Sequence, residues 1–321
     1  MKLLLRAALL PLLALVACTA PTTGTPAPAP TPDPASPSSP TVPAPTPTAA
    51  SSPAHPPTRV SPSPSPASRP SSSRPRPTTV STGSSQRPTD VAAPPVGATW
   101  QIQYSGTLRL GGAAVVNLDG EDTPTGVVTR AKDRGAYAIC YINAGAWEDW
   151  RSDADAYPSE LQGKAMDGWP GERWVDIRDH ETLMPLLERR LDTCARKGFD
   201  AVDPDNVDGW THDTGFGLRR SDSIALIKAL SQAAHERGLA IGLKNATEIL
   251  SDVDNRVEFA VNEECVRYDE CGVYRGFLAS GKAVFHVEYS GSRATICAAR
   301  PVGMSTVIKD TDLGPGGSAC P

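Results

Sequence analysis

The sequence predicts an α/β protein: a (β/α)8 barrel of the TIM type, preceded by a long disordered linker. Three observations support this prediction. In the C-terminal part of the 321-residue chain, short β-rich runs alternate with helical stretches. Nearly all of these runs end at charged or amide residues. In contrast, residues 19–97 are dominated by proline, serine, threonine and alanine and contain no Phe, Tyr or Trp.

Residues 1–18 have the pattern of an export signal. Lys2 and Arg6 form a charged start, and the apolar run that follows is too short to span a bilayer. The run ends in Leu-Val-Ala-Cys18, which resembles the bacterial lipobox. We therefore expect cleavage before Cys18, lipidation of this cysteine, and a lipid-anchored protein on the outward face of a bacterial cell envelope. An ordinary signal peptide with a coincidental cysteine is the alternative.

Residues 19–97 form the predicted linker, because dense proline without aromatic side chains leaves too little apolar surface to offset chain entropy. Where such a chain adopts polyproline II it extends ~3.1 Å per residue, so the tether could reach on the order of 200 Å. Residues 98–321 form the predicted globular domain, a length that a (β/α)8 barrel can manage with.

The net charge of the chain is −5, but the leader and the linker carry an excess of positive charge. The globular domain is therefore more acidic than the whole chain. This charge argues against nucleic acid as a partner and is compatible with a cationic one, although solubility alone also explains it.

Six cysteines remain when Cys18 is set aside, and an even number in an exported domain favours disulfides. We predict Cys265–Cys271, which are close in sequence, and Cys297–Cys320, which would hold the C-terminus. Cys140–Cys194 is the remaining pair. A zinc site is the alternative, but the sequence contains no CxxC pair and its histidines are scattered.

The β-rich runs number eight, and helical patterns lie between them. The runs are Ala114–Asp119, Ala138–Asn143, Trp174–Ile177, Ala201–Asp203, Ala240–Asn245, Phe259–Asn262, Ala283–Glu288 and Ser305–Lys309. Trp100–Tyr104 precedes them as a predicted extra strand at the N-terminal end of the barrel. The clearest helices, Thr182–Lys197 and Ser221–Arg237, are each followed by a glycine. Strands that alternate with helices predict a parallel sheet, and eight repeats predict its closure.

Polar residues end nearly every predicted strand. They are Asp119, Asn143, Asp176 with Arg178, Asp205 with Asn206, Lys244 with Asn245, Glu263 with Glu264, Glu288 with Tyr289, and Lys309 with Asp310. In a parallel barrel all strands end on one face, and active sites lie there. The sequence therefore predicts a ring of polar side chains around a site.

Several motifs occur in a fixed order along the domain. They are CYINAGAWE at 140–148, WRSD at 150–153, GWPGE at 168–172, WVDIR at 174–178, GFDAVDPDNVDG at 198–209, GLKN at 242–245, NEEC at 262–265 and VEY at 287–289. Together they resemble glycoside-hydrolase family 114 over about residues 100–312. Two positions depart from the family pattern: Asp203 stands where glutamate is expected, and Glu264 where glutamine is expected.

The resemblance implies an endo-α-1,4-polygalactosaminidase, which cuts polymers of partly deacetylated galactosamine. It points to Asp205 as the nucleophile and Glu263 as the acid/base, the two carboxyl groups that glycosidic cleavage needs. Further polar residues are expected to bind substrate: Asp119, Tyr141, Glu148, Arg151, Asp176, Arg178, Asn206, Lys244, Asn245, Glu264, Glu288 and Tyr289. Aromatic side chains expected to stack on sugars are Tyr141, Trp147, Trp150, Trp169, Trp210 and Tyr289.

The expected partner is a polysaccharide, in particular a cationic galactosamine polymer, and the expected state is a monomer. No cofactor and no metal ion are expected. Three alternatives remain: a glycosidase of other specificity on the same barrel, an anchored carbohydrate-binding barrel without turnover, and a metal-dependent deacetylase. The last would need a His/Asp cluster that the sequence lacks.

Overall fold

A computed structural model describes residues 91–321. The export signal, Cys18 and most of the predicted linker lie outside the described residues. The strands are β1 Trp100–Gln103, β2 Val115–Asp119, β3 Tyr137–Asn143, β4 Ala146–Glu148, β5 Gln162–Ala165, β6 Glu172–Val175, β7 Ala201–Asp205, β8 Ala240–Lys244, β9 Phe259–Glu263, β10 Ala283–Glu288, β11 Ser305–Ile308 and β12 Ser318–Ala319. The helices are α1 Thr125–Lys132, α2 His180–Lys197, α3 Arg220–Glu236, α4 Leu250–Val253, α5 Tyr274–Ala279 and α6 Arg293–Ala299.

The main sheet contains nine strands in the order β1-β2-β3-β7-β8-β9-β10-β11-β12. Its first eight strands run parallel, and β12 pairs antiparallel to β11. The sheet curls so that β1 and β11 contact each other. The predicted fold class, a TIM-type barrel, is therefore confirmed, because parallel strands separated by helices form a curled sheet with its ends in contact.

One predicted barrel strand is wrong. The segment predicted as a strand over Trp174–Ile177 overlaps β6, which pairs antiparallel with β4 and β5 in a separate three-stranded sheet. Its place in the row of eight is taken by β1, predicted only as an extra strand. The sequence pattern favoured β6 over β1 as a barrel strand, because β6 directly precedes the long helix α2, whereas no helix lies between β1 and β2.

The small sheet β4-β5-β6 is attached to the end of β7. The backbone N–H groups of Ala144 and Gly145 both donate to the carbonyl oxygen of Asp205, each at 3.0 Å. The carbonyl of Gly145 in turn accepts from Val175 in β6. A Cβ atom on Gly145 would lie 1.7 Å from the carbonyl oxygen of Asn206, so only glycine allows this approach. The small sheet is thus held rigidly beside the C-terminal end of the barrel.

Alternate side chains of the barrel strands point inward, as strand geometry requires. Along β7 the apolar Val202 packs outward against the helices, whereas Ala201 belongs to the inner cluster. Phe259 and Phe285 fill the interior and meet edge to face, with ring centroids 6.0 Å apart. Gly242 leaves room for Phe259, because a Cβ there would lie 2.5 Å from the phenyl ring. The interior is therefore packed below the polar ends of the strands.

The long helix α2 begins and ends with capping residues. The side chain of Asp179 accepts from the N–H of Thr182 at its start, and Gly198 at its end has a φ of 86°. Both features are typical of helix termini. The prediction placed the start at Thr182, two residues inside the helix, because it followed the apolar periodicity and not the aspartate cap.

All three predicted disulfides are confirmed: Cys140–Cys194, Cys265–Cys271 and Cys297–Cys320. The first joins β3 to α2 and encloses the small sheet, and the third holds the C-terminal strand β12 near α6. At the other end, the hydroxyl of Tyr137 donates to the carbonyl of Ala92 at 2.6 Å. No helix within residues 91–321 has the length and apolarity that crossing a membrane requires.

Candidate active site

Three neighbouring barrel strands bring Asp205, Lys244 and Glu263 together at their C-terminal ends. Each of these residues is the last of its strand, in β7, β8 and β9. The Nζ atom of Lys244 donates to Oδ1 of Asp205 at 2.9 Å and lies 3.1 Å from Oε2 of Glu263. One ammonium group therefore bridges the two carboxylates that the sequence singled out.

Lys244 is almost completely buried, with 3% of its side chain exposed. Burial alone would lower its pKa, but the negative charges of Asp205 and Glu263 outweigh burial and raise the pKa well above its usual value. The ammonium is therefore permanently charged in the resting site. Its single positive charge compensates one of the two negative charges of Asp205 and Glu263, and its contacts hold both side chains in place.

Asp205 accepts hydrogen bonds at both carboxylate oxygens. Its Oδ1 atom accepts from Lys244 and from the backbone N–H of Asn206 at 2.8 Å. Its Oδ2 atom accepts from the hydroxyl of Tyr141 at 3.0 Å. These donors fix the orientation of the carboxylate at the floor of the cleft.

Glu263 is held in a similar way from the other side. Oε1 accepts from the hydroxyl of Tyr289, and Oε2 accepts from the side-chain amide of Asn245 at 3.1 Å. Burial would raise the pKa of Glu263, but the charge of Lys244 and the hydrogen bond from Tyr289 outweigh it and lower the pKa. In the resting site Glu263 is therefore ionised near neutral pH.

The chain turns sharply after each of these strands. Asn206, Asn245 and Glu264 have φ values of 58°, 48° and 60°, in the left-handed region. Asparagine enters this region readily, whereas glutamate does so at a cost. The turn directs Glu264 away from Lys244 and toward Arg267, whose Nη1 donates to it at 2.8 Å. Glu263, and not Glu264, thus faces Asp205.

Beneath this site lies a fully buried carboxyl group, that of Asp203. Oδ2 accepts from the side-chain amide of Asn117 at 2.8 Å, and Oδ1 has no hydrogen-bond partner among the described residues. Burial raises the pKa of Asp203 to about 7 despite the opposing effect of Lys244. Tyr104, which donates to Asn117, completes this layer and was not singled out from the sequence.

Asp119, Glu148 and Arg151 form one wall of the cleft. Arg151 donates to both oxygens of Asp119 at 3.0 and 2.8 Å, and to both oxygens of Glu148 at 2.8 and 2.9 Å. Bidentate pairs of this kind are geometrically specific. The two carboxylates are therefore committed to Arg151, so their contribution to the cleft is a rigid wall.

Glu172, from β6, is a buried acidic residue of the cleft that was not predicted as a site residue from the sequence. It is 8% exposed, and its Oε2 atom accepts from the side-chain amide of Asn143 at 3.2 Å. Burial, Glu148 and Asp205 raise the pKa of Glu172 to about 7. Glu172 stands just before the run Trp174–Ile177, which the sequence predicted as a barrel strand. It was therefore not expected to end a strand beside the site.

The cleft above these residues has a volume of about 1470 Å³. Three aromatic side chains at its rim are strongly exposed: Trp150 at 52%, Trp169 at 55% and Tyr268 at 62%. The residues expected to bind substrate that line it are Asp119, Tyr141, Glu148, Arg151, Asn206, Lys244, Asn245, Glu264 and Tyr289. Exposed aromatic rings beside buried charges are typical of sugar-binding clefts, where ring faces stack on apolar sugar faces.

Other expected site residues lie elsewhere. Asp176 and Arg178 bind each other at 2.7 Å and do not line the cleft, because the strand that was to carry them belongs to the small sheet. Glu288 is buried outside the cleft, where it contacts His286 at 2.8 Å and accepts from the N–H of Val266.

Two of the expected stacking residues, Trp147 and Trp210, also lie outside the cleft lining. One cluster within residues 91–321 has the spacing of metal ligands: Cys265, Cys271 and His286. Its two sulfur atoms are joined in a disulfide and so are not available as thiolates.

Comparison with known proteins identifies the family of this chain. The profile of glycoside-hydrolase family GH114 matches residues 81–321. No curated protein matches the sequence. The chain is similar to the solved structure of Ega3 from Aspergillus fumigatus in complex with galactosamine. The two are 35% identical with a TM-score of 0.67, over 71% of this chain and 97% of that one.

A second solved structure, the glycoside hydrolase domain of PelA from Pseudomonas aeruginosa, shares the fold. Its identity is 14% and its TM-score 0.57, over 69% of this chain and 98% of that one. The family profile covers the whole described barrel, and Ega3 resembles the same region at an identity well above that of PelA. The chain therefore belongs to glycoside-hydrolase family 114 and is a glycoside hydrolase.

Proposed function

We propose that this protein hydrolyses α-1,4-linked galactosamine polymers from within the chain, with Asp205 as nucleophile and Glu263 as acid/base. The observation that carries the proposal is the shared ion pair of Lys244 with both carboxylates at the floor of the cleft. Family membership and the galactosamine bound by Ega3 support the choice of substrate. The open cleft, with exposed aromatic rings along its rim, supports internal cleavage of a polymer.

The positions of the two carboxylates are compatible with a retaining mechanism. An oxygen of each lies within 3.1 Å of the same nitrogen, so these two oxygens cannot be farther apart than twice that distance. Retaining enzymes hold their carboxyl groups ~5–5.5 Å apart, whereas inverting enzymes leave ~6.5–9.5 Å for a water molecule. The bridge by Lys244 is thus compatible with direct attack on the sugar.

In the first step, a carboxylate oxygen of Asp205 bonds to the anomeric carbon while the bond from that carbon to the leaving oxygen breaks. Glu263 gives its proton to the leaving oxygen, and a glycosyl ester with Asp205 results. In the second step, Glu263 takes a proton from water, whose oxygen attacks the anomeric carbon and releases Asp205. Each carboxyl group thereby returns to its initial state.

The general acid must carry a proton when substrate is bound, yet Lys244 and Tyr289 favour its ionised form in the resting site. Substrate binding therefore has to weaken the contact between Lys244 and Glu263. A sugar that separates the ammonium from Glu263 would do this, because the charge of Lys244 is the largest influence that lowers the pKa of Glu263.

The decisive experiment is product analysis on purified galactosamine polymer. We expect oligomers of intermediate length from the first minutes of reaction, and NMR of the new reducing ends is expected to show the α anomer first. Immediate release of monomer would contradict internal cleavage, and an initial β anomer would contradict retention. Binding without any product would favour the alternative of a carbohydrate-binding barrel, and activity restricted to chitosan or chitin would favour another glycosidase.

We further propose that the protein is exported and held at the envelope by a lipid on Cys18, which lies outside the described residues. The three disulfides support an oxidising compartment. Fractionation should find the wild-type protein with membranes and release Cys18→Ser from them. Mass spectrometry that finds an unmodified N-terminus downstream of Cys18 would overturn the anchor without affecting the proposed activity.

A further inference from the structure

Three buried acidic side chains line the cleft, and they differ in their partners. Asp119 and Glu148 both bind Arg151 through two oxygens each. Glu172 is buried to a similar extent but forms no salt bridge within residues 91–321, and its one side-chain donor is the neutral amide of Asn143. Burial without a cation disfavours the ionised form of a carboxyl group, and a substrate cation placed beside it would favour that form.

The position of Glu172 relative to Asp205 is fixed by a chain of hydrogen bonds. The side-chain amide of Asn206 donates to Oδ1 of Asn143 at 3.0 Å, and Asn143 donates to Glu172 at 3.2 Å. Asn143 is also the register partner of Asp205 across β3 and β7. Glu172 therefore lies one amide side chain away from the turn that follows Asp205, on the cleft side of the small sheet.

The chemistry of the substrate supplies a cation close to this place. In a galactosamine unit the amino group is on the carbon next to the anomeric carbon. When Asp205 reaches the anomeric carbon, the carbon that carries the amino group is the next atom of the ring, and the nitrogen is two bonds from the anomeric carbon. A free amine at this position is an ammonium ion, whereas an N-acetylated amine is neutral and larger.

From this arrangement we propose that Glu172 binds the ammonium group of the galactosamine unit attacked by Asp205, and so makes the enzyme prefer units with a free amine. The inference rests on the proposed function and assigns a specificity-determining residue to it. Arg151, which already holds Asp119 and Glu148, leaves Glu172 as the buried carboxylate of the cleft that is available to the substrate.

The test compares Glu172→Gln with wild type on two polymers, fully deacetylated and fully N-acetylated polygalactosamine. A charge-assisted hydrogen bond contributes ~1.5–3 kcal/mol, so kcat/KM on the deacetylated polymer should fall about 10- to 100-fold. On the acetylated polymer it should be unchanged or higher. Glu160→Gln is the matched control, because Glu160 is exposed in the segment between β4 and β5 and lies outside the cleft lining. An equal loss on both polymers, or no loss on either, would overturn the inference.

A second measurement does not depend on the folding of the variant. Free galactosamine should inhibit the wild-type enzyme at least several-fold more strongly than N-acetylgalactosamine, and equal inhibition would overturn the assignment. Calorimetric titration of galactosamine into wild type and Glu172→Gln reads the contact without turnover. If wild type cleaves neither polymer, the proposed function fails, while the titration still decides the role of Glu172.

Discussion

The ends of the barrel strands and the small antiparallel sheet supply different parts of the site. The barrel holds Asp205, Lys244 and Glu263 on three parallel strands whose paired backbones leave little freedom. The small sheet holds Glu172, and the rim aromatics Trp150 and Trp169 lie in the segments that connect its strands. Under the proposed mechanism, the barrel strand ends supply the groups for bond breaking and the small sheet supplies groups for binding.

This division predicts different kinetic effects. A group that acts only in the transition state lowers kcat when it is removed, whereas a group that binds substrate and transition state alike raises KM. Substitutions at the barrel strand ends should therefore act on kcat. Substitutions in the small sheet should act mainly on KM and on the choice of substrate.

The largest effect is expected for the two carboxylates. Asp205→Asn and Glu263→Gln should each lower kcat by about 10²- to 10⁴-fold or more. Positioned proton transfer, the proposed role of Glu263, contributes that much by itself, and an asparagine at position 205 is too weak a nucleophile to form the glycosyl ester. The matched control is Glu264→Gln, since Glu264 follows Glu263 directly but binds Arg267. Steady-state rates on galactosamine polymer, with circular dichroism to confirm folding, measure the effect.

If Glu264→Gln loses activity while Glu263→Gln keeps it, the acid/base has been assigned one residue too early. If neither variant loses activity, the carboxylate mechanism itself is wrong, and the ion pairs of Lys244 are structural. Normal turnover by Asp205→Asn would contradict the covalent step, because an amide is a far weaker nucleophile than a carboxylate.

The barrel could be predicted from the sequence because its signals are local and repeated. Runs such as Ala240–Lys244 are apolar, end in polar residues and follow helices, so strands of this kind were predicted together with the direction of their ends. The parallel arrangement then places Asp205 and Glu263 on one face without knowledge of any contact. The family resemblance added the roles, which spacing alone could not assign.

The small sheet was not predicted, for a physical reason. A segment such as Glu172–Val175 has the same composition whether it pairs parallel in a barrel or antiparallel in a hairpin-like insertion. Pairing is decided by nonlocal hydrogen bonds, here from Gly145 to Asp205 and from Val175 to Gly145. Because this strand was assigned to the barrel, the prediction included Asp176 and Arg178 among the site residues and did not include Glu172.

Removal of the ammonium group of Lys244 is expected to have the next largest effect, in this case on the free energy of unfolding. Lys244→Met leaves two largely buried carboxylates facing each other, and breaking a buried ion pair in this way costs ~3–5 kcal/mol. The free energy of unfolding in guanidinium chloride, measured at neutral pH against wild type, checks this value. A loss below about 1 kcal/mol would show that the bridge contributes little.

The pH dependence of this loss follows from the direction of two pKa shifts. The pKa of Glu263 is lowered in the folded protein, so its contribution is present above its unfolded value of ~4.3 and disappears as pH falls through the folded pKa. The pKa of Lys244 is raised, so its contribution is complete below ~10.4 and disappears as pH rises through the folded pKa. The difference between wild type and Lys244→Met should therefore shrink below about pH 4.

The disulfide that spans the small sheet should stabilise the protein more than the disulfide that closes a short loop. Cys140–Cys194 closes a span of 54 residues that contains the small sheet, whereas Cys265–Cys271 closes a span of 6. Chain entropy predicts losses of about 4 and about 2 kcal/mol when each pair is replaced by alanine. Thermal unfolding of the two double variants measures the order, and equal losses would contradict the entropic account.

The smallest effect is expected at the rim of the small sheet. Trp169 lies between β5 and β6, lines the cleft and leaves 55% of its surface exposed, so its ring is free to stack on a sugar. We expect this sugar to lie outside the unit attacked by Asp205. If the ring contributes as much on a sugar as it would in a pair of aromatic rings, ~0.5–1.5 kcal/mol, KM should rise roughly 2- to 12-fold for Trp169→Ala. The value of kcat should not change, because the ring does not touch the reacting atoms.

Substrate length provides the internal control for Trp169→Ala. On long polymers the rise in KM should be complete, and on oligomers too short to reach the rim it should vanish, so the ratio of the two isolates the stacking contact. Glu263→Gln should instead lower kcat to the same extent on both. A Trp169→Ala variant that lowers kcat on long and short substrates alike would show that the small sheet also positions the reacting groups through its contacts with the end of β7, and the separation of binding from bond breaking would then fail.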